Sequence, residues 1–384
     1  MREFKRLVVL LLALAMIVAA CGGDDGDDGD DGDDTATTEA AGGEDGGEDG
    51  DGDGGGDDMG SLLDTVKERG TLSCGTNETL VGFGFKDSAG EFVGMDVDLC
   101  KAVAAAVLGD AEAVSFSALT AAARFEAVNS GQVDILSRNT TFTQQRDSEI
   151  GLDFGPTTYY DGQQIMGAGD TFSADSTVAD LDGATVCTNA GTTTELNMTE
   201  AAGAAGITIN LVTYEDFNIV TDNFIAGNCD AVTTDGSGLI SRKFQNTEGG
   251  VEGAADWVIF PSTPISKEPL GPAWVQGDAL WGDVIRWTVY ALMIAEEQGI
   301  TSANVDDMRA NPPNGEVGRL LGSEGDFAEK QTAMGLPADA FYQAIKQVGN
   351  YGEIYDRHLT PLGIGRGLNA LFSDGGLIYA PPAR

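Results

Sequence analysis

The sequence predicts an α/β protein of two lobes with mostly parallel sheets, and three observations carry that expectation. Short apolar runs alternate with stretches of helical periodicity, the pattern of strands and helices packed in layers. The alternation restarts after Tyr160, Asp161 and Gly162, as though a second unit begins there. The globular part, about residues 61–384, is too long for one small core and suits two of ordinary size.

Residues 71–75 read as the first strand, ending in a loop over 76–85. A helix over 96–108 follows, with Val97, Leu99, Val103 and Val107 at helical spacing and Asp96 as its N-cap. Residues 113–117 and 134–136 are further strands, with a helix over 121–129 between them. In the second unit, 183–188 is a strand, and Thr192 with Glu195 forms a capping box that starts a helix. Residues 228–235 form another strand, ending in the acid Asp235. The apolar segment 284–295 is interrupted by Arg286 and bounded by Glu296 and Glu297, so it reads as an amphipathic or core helix.

Residues 134–146, D-I-L-S-R-N-T-T-F-T-Q-Q-R, are the most informative stretch for function. An apolar run ends abruptly in five polar residues, and Arg146 lies just inside the next helix. Ligands of open α/β sheets bind outside the carboxyl ends of strands. A guanidinium presents a planar fork of donors, so an arginine beside hydroxyls at such an end makes a clamp for a carboxylate.

The first twenty residues carry Arg2, Lys5 and Arg6, then an uninterrupted apolar stretch over 7–20, closing with Val18-Ala-Ala before Cys21. That is a secretory leader with a short apolar region. The pattern resembles a bacterial lipobox, which implies that Cys21 carries a lipid and anchors the mature protein at the outer face of the cell membrane. Residues 21–60 hold seventeen acidic residues and no Lys or Arg. Such a segment cannot offset its ordering entropy and is expected to be a disordered tether spanning roughly 35 Å. Asp49, Asp51 and Asp53 match half a calcium loop, but its twelfth position is Gly60 and no specific metal site is expected. The whole chain has a formal net charge of −41, which argues against nucleic acid as a partner.

Besides Cys21 there are four cysteines, Cys74, Cys100, Cys187 and Cys229, an even number compatible with two disulfides in any of three pairings. No C-x-x-C pair is present and His358 is the single histidine, so neither a zinc site nor any cofactor is expected.

From about Leu62 onward the chain resembles the family 3 solute-binding proteins of ABC amino-acid uptake systems, most nearly their general L-amino acid-binding branch. The matching blocks, in chain order, begin with G-M-D-V-D-L-C from Gly94, L-S-R-N-T-T-F-T from Leu136 and T-Y-Y-D-G-Q from Thr158. G-T-T-T-E-L-N from Gly191, T-T-D-G-S-G-L from Thr233, I-S-K-E-P-L-G-P from Ile265 and V-G-N-Y-G-E-I-Y from Val348 continue them.

The resemblance implies a two-lobed periplasmic-binding-protein-like (type II) fold, with a ligand cleft between lobes joined by two crossings. Lobe one would comprise 61–161 and 266–384, and lobe two 162–265. The crossings would fall near 159–163 and 262–271. Carried over by position, Arg146 pairs the ligand α-carboxylate, with Thr141 beside it, Thr193 offers a hydroxyl and N–H from lobe two, and Asp235 takes the α-ammonium. Asn139 and Arg138 line the same strand end. Leu80, with Phe83 nearby, stands where many relatives place an aromatic ring over the ligand side chain. Asn77 replaces an acid found in relatives selective for basic amino acids. The cysteines are expected to pair within lobes, Cys74 with Cys100 and Cys187 with Cys229, because a cross-lobe bond would impede closure.

The expected partners are L-amino acids and an ABC permease, and the expected state is a monomer. Two other classes share this fold: cyclic-acid dehydratases and sensor domains. The first needs a positioned acid–base pair, and the sequence suggests none, having no nucleophile, zinc or phosphate-loop motif. The second calls for a membrane-spanning signalling segment after the lobes, which the sequence to Arg384 does not carry.

Overall fold

The computed structural model describes residues 61–323 and 329–384. The readings of a leader, a lipid-bearing Cys21, an acidic tether and a half calcium loop fall on residues 1–60 and lie outside the described residues.

Each lobe is organised around a five-stranded sheet, and the two sheets share one design. In lobe one, Leu72–Thr76 lies between Val114–Ala118 and Ile135–Leu136, all parallel. Ala273–Val275 then runs antiparallel between Ile135–Leu136 and Leu152–Phe154. In lobe two, Thr185–Asn189 lies parallel between Asn210–Tyr214 and Ala231–Asp235. Gln163–Gly167 runs antiparallel between Ala231–Asp235 and Val258–Phe260. Parallel neighbours need crossover connections, and the helices Met95–Leu108, Arg124–Asn129, Thr193–Ala205 and Phe217–Ile225 supply them. The parallel strands of a sheet therefore end at one edge, where the polar residues collect.

The lobes are joined by two antiparallel crossing strands, Tyr159–Asp161 and Glu268–Leu270, with Glu268 opposite Asp161. Gly162 marks where they press together: a Cβ there would lie 2.4 Å from Pro264 Cβ. Lobe one's core is built on the 19-residue helix Ala279–Glu297, whose Trp281, Val284, Ile285 and Leu292 are fully buried. Ala340–Val348 and Tyr351–His358 return to pack in the same core as Met95–Leu108. Among the described residues no helix is long and apolar enough to cross a membrane.

Both disulfides lie within lobes, Cys74 to Cys100 and Cys187 to Cys229. Their sequence separations of 26 and 42 residues correspond to about 3–4 kcal/mol each in the chain-entropy account.

Two local expectations need correction. Asp96 is not a cap, because the helix begins at Met95 and Gly94 takes the capping position. Gly94 has φ 135°, and a Cβ there would meet the Phe83 carbonyl oxygen at 2.1 Å, so only glycine fits. Asp96 falls one residue inside and turns to the sheet. The capping box at Thr192 is half formed: Thr192 Oγ1 accepts from Glu195 N, while Glu195 Oε2 accepts from Gly191 N, outside the box.

Candidate functional site

Asp96 organises the lobe-one wall. Its buried carboxylate accepts from Asn139 N at 2.7 Å and Ser137 Oγ at 3.2 Å, tying the helix start to the end of strand Ile135–Leu136. Asn139 has φ 33°, the only positive value at a non-glycine residue among those described, and this bond helps hold it there. Burial raises the Asp96 pKa while those two bonds oppose the rise. The turned backbone sends Arg138 towards Leu119, where its Nε donates to the carbonyl at 2.7 Å. Asn139 Oδ1 accepts from Asn77 Nδ2 at 3.3 Å.

The lobe-two wall is centred on Asp235, the last residue of strand Ala231–Asp235. It occupies the N-cap position of helix Gly236–Glu248, yet its side chain makes no capping bond. Among the described residues its carboxylate has no hydrogen-bond or ion-pair partner, and it lines the interlobe cavity with 8% exposure. Burial, with Asp161 and Glu268 close by, raises its pKa well above the usual carboxylate range. Asp161, on the crossing strand, is pushed up to about 6, chiefly by burial. It accepts from Ser237 Oγ and from Gly162 N at 2.9 Å.

Four arginines surround this acidic centre, all at most 7% exposed and none ion-paired among the described residues. Arg124 lines the cavity; its guanidinium stacks over Phe125 at 4.7 Å, and its buried Nε has no hydrogen-bond partner among the described residues. Burial, then Arg146 and Arg138, push its pKa well down. A guanidinium nonetheless keeps its charge at pH 7, so the site holds a desolvated cation seeking an anion. Arg242 reaches from lobe two to Thr79 Oγ1 at 3.1 Å, and Arg138 also lines the cavity. Arg146 sits beside the cavity, its Nη1 donating to the Thr141 carbonyl at 2.7 Å. Burial brings Arg146 to about 10, while nearby Glu268 and Asp235 pull the other way.

Of the residues singled out from the sequence, Arg138, Asn139, Thr141, Thr193, Asp235 and Leu80 line this one cavity. Phe83 is in the core, edge-on to Tyr159 at 5.1 Å. The aromatic ring in the cavity wall is Phe217, with the Arg242 guanidinium 5.5 Å from its centre. Arg124, Arg242 and Phe217 were not anticipated. Arg124 could have been suspected from its place just after strand Val114–Ala118, at the edge where the other site residues collect. Glu268 was missed too. Its carboxylate takes the hydroxyl hydrogens of Thr141 (2.6 Å) and Thr193 (2.9 Å), leaving those oxygens only lone pairs to offer a ligand. The Thr193 N–H, in the first turn of its helix, remains a donor.

A pH dependence follows. A cationic group in the cleft would favour ionised Asp235 and Asp161, and protons would compete with it. Affinity for a ligand that bears an ammonium group is therefore expected to fall as pH drops through about 6, where Asp161 titrates. Calorimetry in buffers of different ionisation enthalpy should register proton release on binding at pH 6. Equal affinity at pH 5 and 8 would remove these acids from the site.

His358 hydrogen-bonds Asp98 at 2.7 Å and lies away from the cavity. Two lobes, two crossings and a cleft lined by opposed charges are the build of a solute-binding protein. The chain belongs to the bacterial extracellular solute-binding proteins, family 3, whose family model matches residues 72–361.

It is 47% identical over 332 residues to the glutamate/glutamine/aspartate/asparagine-binding protein BztA of Rhodobacter capsulatus, covering 84% of this chain and 94% of that one. It is 46% identical over 325 residues to the general L-amino acid-binding periplasmic protein AapJ of Rhizobium johnstonii, covering 84% and 92%. Among solved structures, an ABC transporter periplasmic binding protein from Brucella ovis with glutathione bound superposes with a TM-score of 0.79. That match has 44% identity and covers 85% of this chain and all of the other. The protein is thus a solute-binding protein that works outside the cytoplasm.

Proposed function

We propose that the cleft captures L-amino acids whose side chain carries a carboxylate or amide, with Arg124 and Arg146 on the α-carboxylate and Asp235 on the α-ammonium. The observation that carries this reading is the pair Arg124 and Asp235, a buried cation and a buried anion lining one cavity without hydrogen-bond partners. A neutral amino acid would satisfy both, whereas Arg138 and Arg242, which also line the cavity, feel Asp96, Asp216 and Asp222 nearby but form no ion pair among the described residues. A ligand with a second carboxylate or an amide oxygen supplies the missing acceptor. The name of the Rhodobacter relative, which specifies glutamate, glutamine, aspartate and asparagine, supports this choice. The name of the Rhizobium relative supports a broader set in which these would be preferred. The protein would act as a monomer held to the membrane by lipid on Cys21, in line with the Ala-Ala-Cys sequence that ends its leader.

A panel of amino acids tests this by thermal shift. Ligand at a hundredfold excess over Kd stabilises the folded state by about 2.7 kcal/mol. In lobes of this size that raises Tm on the order of 5 °C. L-glutamate and L-glutamine should give the largest shifts, and D-glutamate a smaller one because inversion misdirects the ammonium or the side chain. L-lysine should give the least, since its ammonium would meet the arginines. A panel in which lysine gives the largest shift would refute the proposed preference.

A further inference from the structure

Glu268 is the most heavily bonded carboxylate near the cleft, yet it does not line the cavity. It lies on the crossing strand Glu268–Leu270 and is 1% exposed. Four side-chain donors converge on its two oxygens. Oε2 accepts from Thr141 Oγ1 at 2.6 Å and Thr193 Oγ1 at 2.9 Å, and Oε1 from Asn197 Nδ2 at 2.8 Å and Ser266 Oγ at 2.6 Å. Those four bonds use its accepting capacity fully.

The origin of the donors is the telling point. Thr141 belongs to lobe one and is bridged to Leu270 of the same crossing. Ser266 is two residues away on the same segment. Thr193 and Asn197 lie one turn apart on helix Thr193–Ala205 of lobe two. Thr141 and Ser266 can therefore stay bonded to Glu268 whatever the lobes do. The bonds to Thr193 and Asn197 hold only while lobe two is folded down.

We propose that Glu268 is a closure latch: a fixed hinge carboxylate that captures two donors of lobe two when the cleft shuts. It is a positioning residue, because it touches the lobes and not the ligand. Hydrogen bonds to a buried charge are roughly twice as strong as neutral ones, so the latch favours the closed state before any ligand contact is counted. Opening must break the Thr193 and Asn197 bonds, and the release rate is set partly there. Two neutral-acceptor contacts cross the cleft on its other side, Ser241 Oγ to the Val81 carbonyl at 2.8 Å and Arg242 Nη2 to Thr79 Oγ1 at 3.1 Å. Asp161, on the other crossing strand, also accepts from lobe two through Ser237 Oγ, but Glu268 is the hinge carboxylate that takes two lobe-two side chains. The latch rests on the cleft-closure reading above, and its test separates the two.

Spin labels on exposed Ser88 of lobe one and Glu252 of lobe two report the interlobe distance by double electron–electron resonance, with and without L-glutamate. The latch requires a closed component in ligand-free wild type that Glu268→Ala reduces at least threefold. Asn197→Ala removes one lobe-two donor, leaves every cavity-lining residue in place and puts a good helix former on the helix. It should reduce that component too, and raise the L-glutamate release rate about 3- to 10-fold with little change in association. Gln in place of Glu268 keeps the shape but faces Asn197 with competing donors, and should lie between wild type and Ala. Should Glu268→Ala fail to fold, Asn197→Ala still decides. Ligand-free distances with no closed component in wild type, or unchanged in both variants, would overturn the latch. Wild type that populates a closed state but ignores L-glutamate would instead count against the proposed ligand and leave the latch standing.

Discussion

Asp235→Asn is expected to lower affinity for every L-amino acid bound by about 10²- to 10³-fold, and to raise the thermal stability of the ligand-free protein. The two effects share one cause. Asp235 is a desolvated carboxylate with no hydrogen-bond partner among the described residues and with Asp161 and Glu268 as acidic neighbours. A carboxylate whose pKa is raised by folding binds its proton more readily in the folded state. Its contribution to stability is therefore fullest below the unfolded-state pKa and is lost as pH rises through the raised folded-state one, so at pH 7 this carboxyl weakens the native state. An amide of the same shape removes that penalty. It also removes the anion that pairs the ligand ammonium, and leaving one buried charge without its partner costs roughly 3–5 kcal/mol. Calorimetric titration with L-glutamate and a melting curve on the ligand-free variant measure both effects. Affinity within threefold of wild type would show that the ammonium sits elsewhere.

The opposite signs of these two effects explain what could be read from the sequence. Residues whose local context makes little sense without a ligand stood out: Ser137 to Thr141 at the end of an apolar run, Asp235 ending a strand. Their side chains line the cavity or bound it because strand ends are fixed by the sheet, and the sheet is fixed by apolar periodicity. Arg124 and Glu268 were hidden because each sits in a segment where a charged residue is unremarkable, a helix start after alanines and a Lys-Glu-Pro crossing. Their roles arise from contacts made far along the chain: the donors on Glu268 include residues 127, 75 and 71 positions away. Asp96 failed for a related reason. The local rule for caps is sound, but where Phe83 approaches Gly94 the cap lies two residues earlier, and Asp96 has a tertiary task. Spacing alone does not encode that approach.

The assignment of the carboxylate clamp yields the other large effect. Arg124→Ala and Arg146→Ala are each expected to weaken L-glutamate binding about 10²-fold or more, as loss of a charge-assisted contact in a closed cleft requires. The two guanidiniums raise each other's cost, since Arg146 is among the causes pushing Arg124 down, so a ligand carboxylate between them relieves a repulsion as well as making bonds. Removing one arginine relieves that repulsion in the ligand-free protein. The double variant should then lose affinity by less than the product of the single losses, while variants of independent sites would multiply. Lysine at position 124 keeps the charge and gives up the fork, and should recover only part of the loss. The ligand supplies the sharper control. L-glutamine with its α-carboxylate converted to the carboxamide should bind wild type poorly and be nearly indifferent to either substitution. If Arg146→Ala discriminates against the carboxylate while Arg124→Ala does not, Arg146 alone holds the α-carboxylate and Arg124 serves the side chain. If the reverse holds, Arg146 acts only through its bond to the Thr141 carbonyl, shaping the strand end that Arg124 completes.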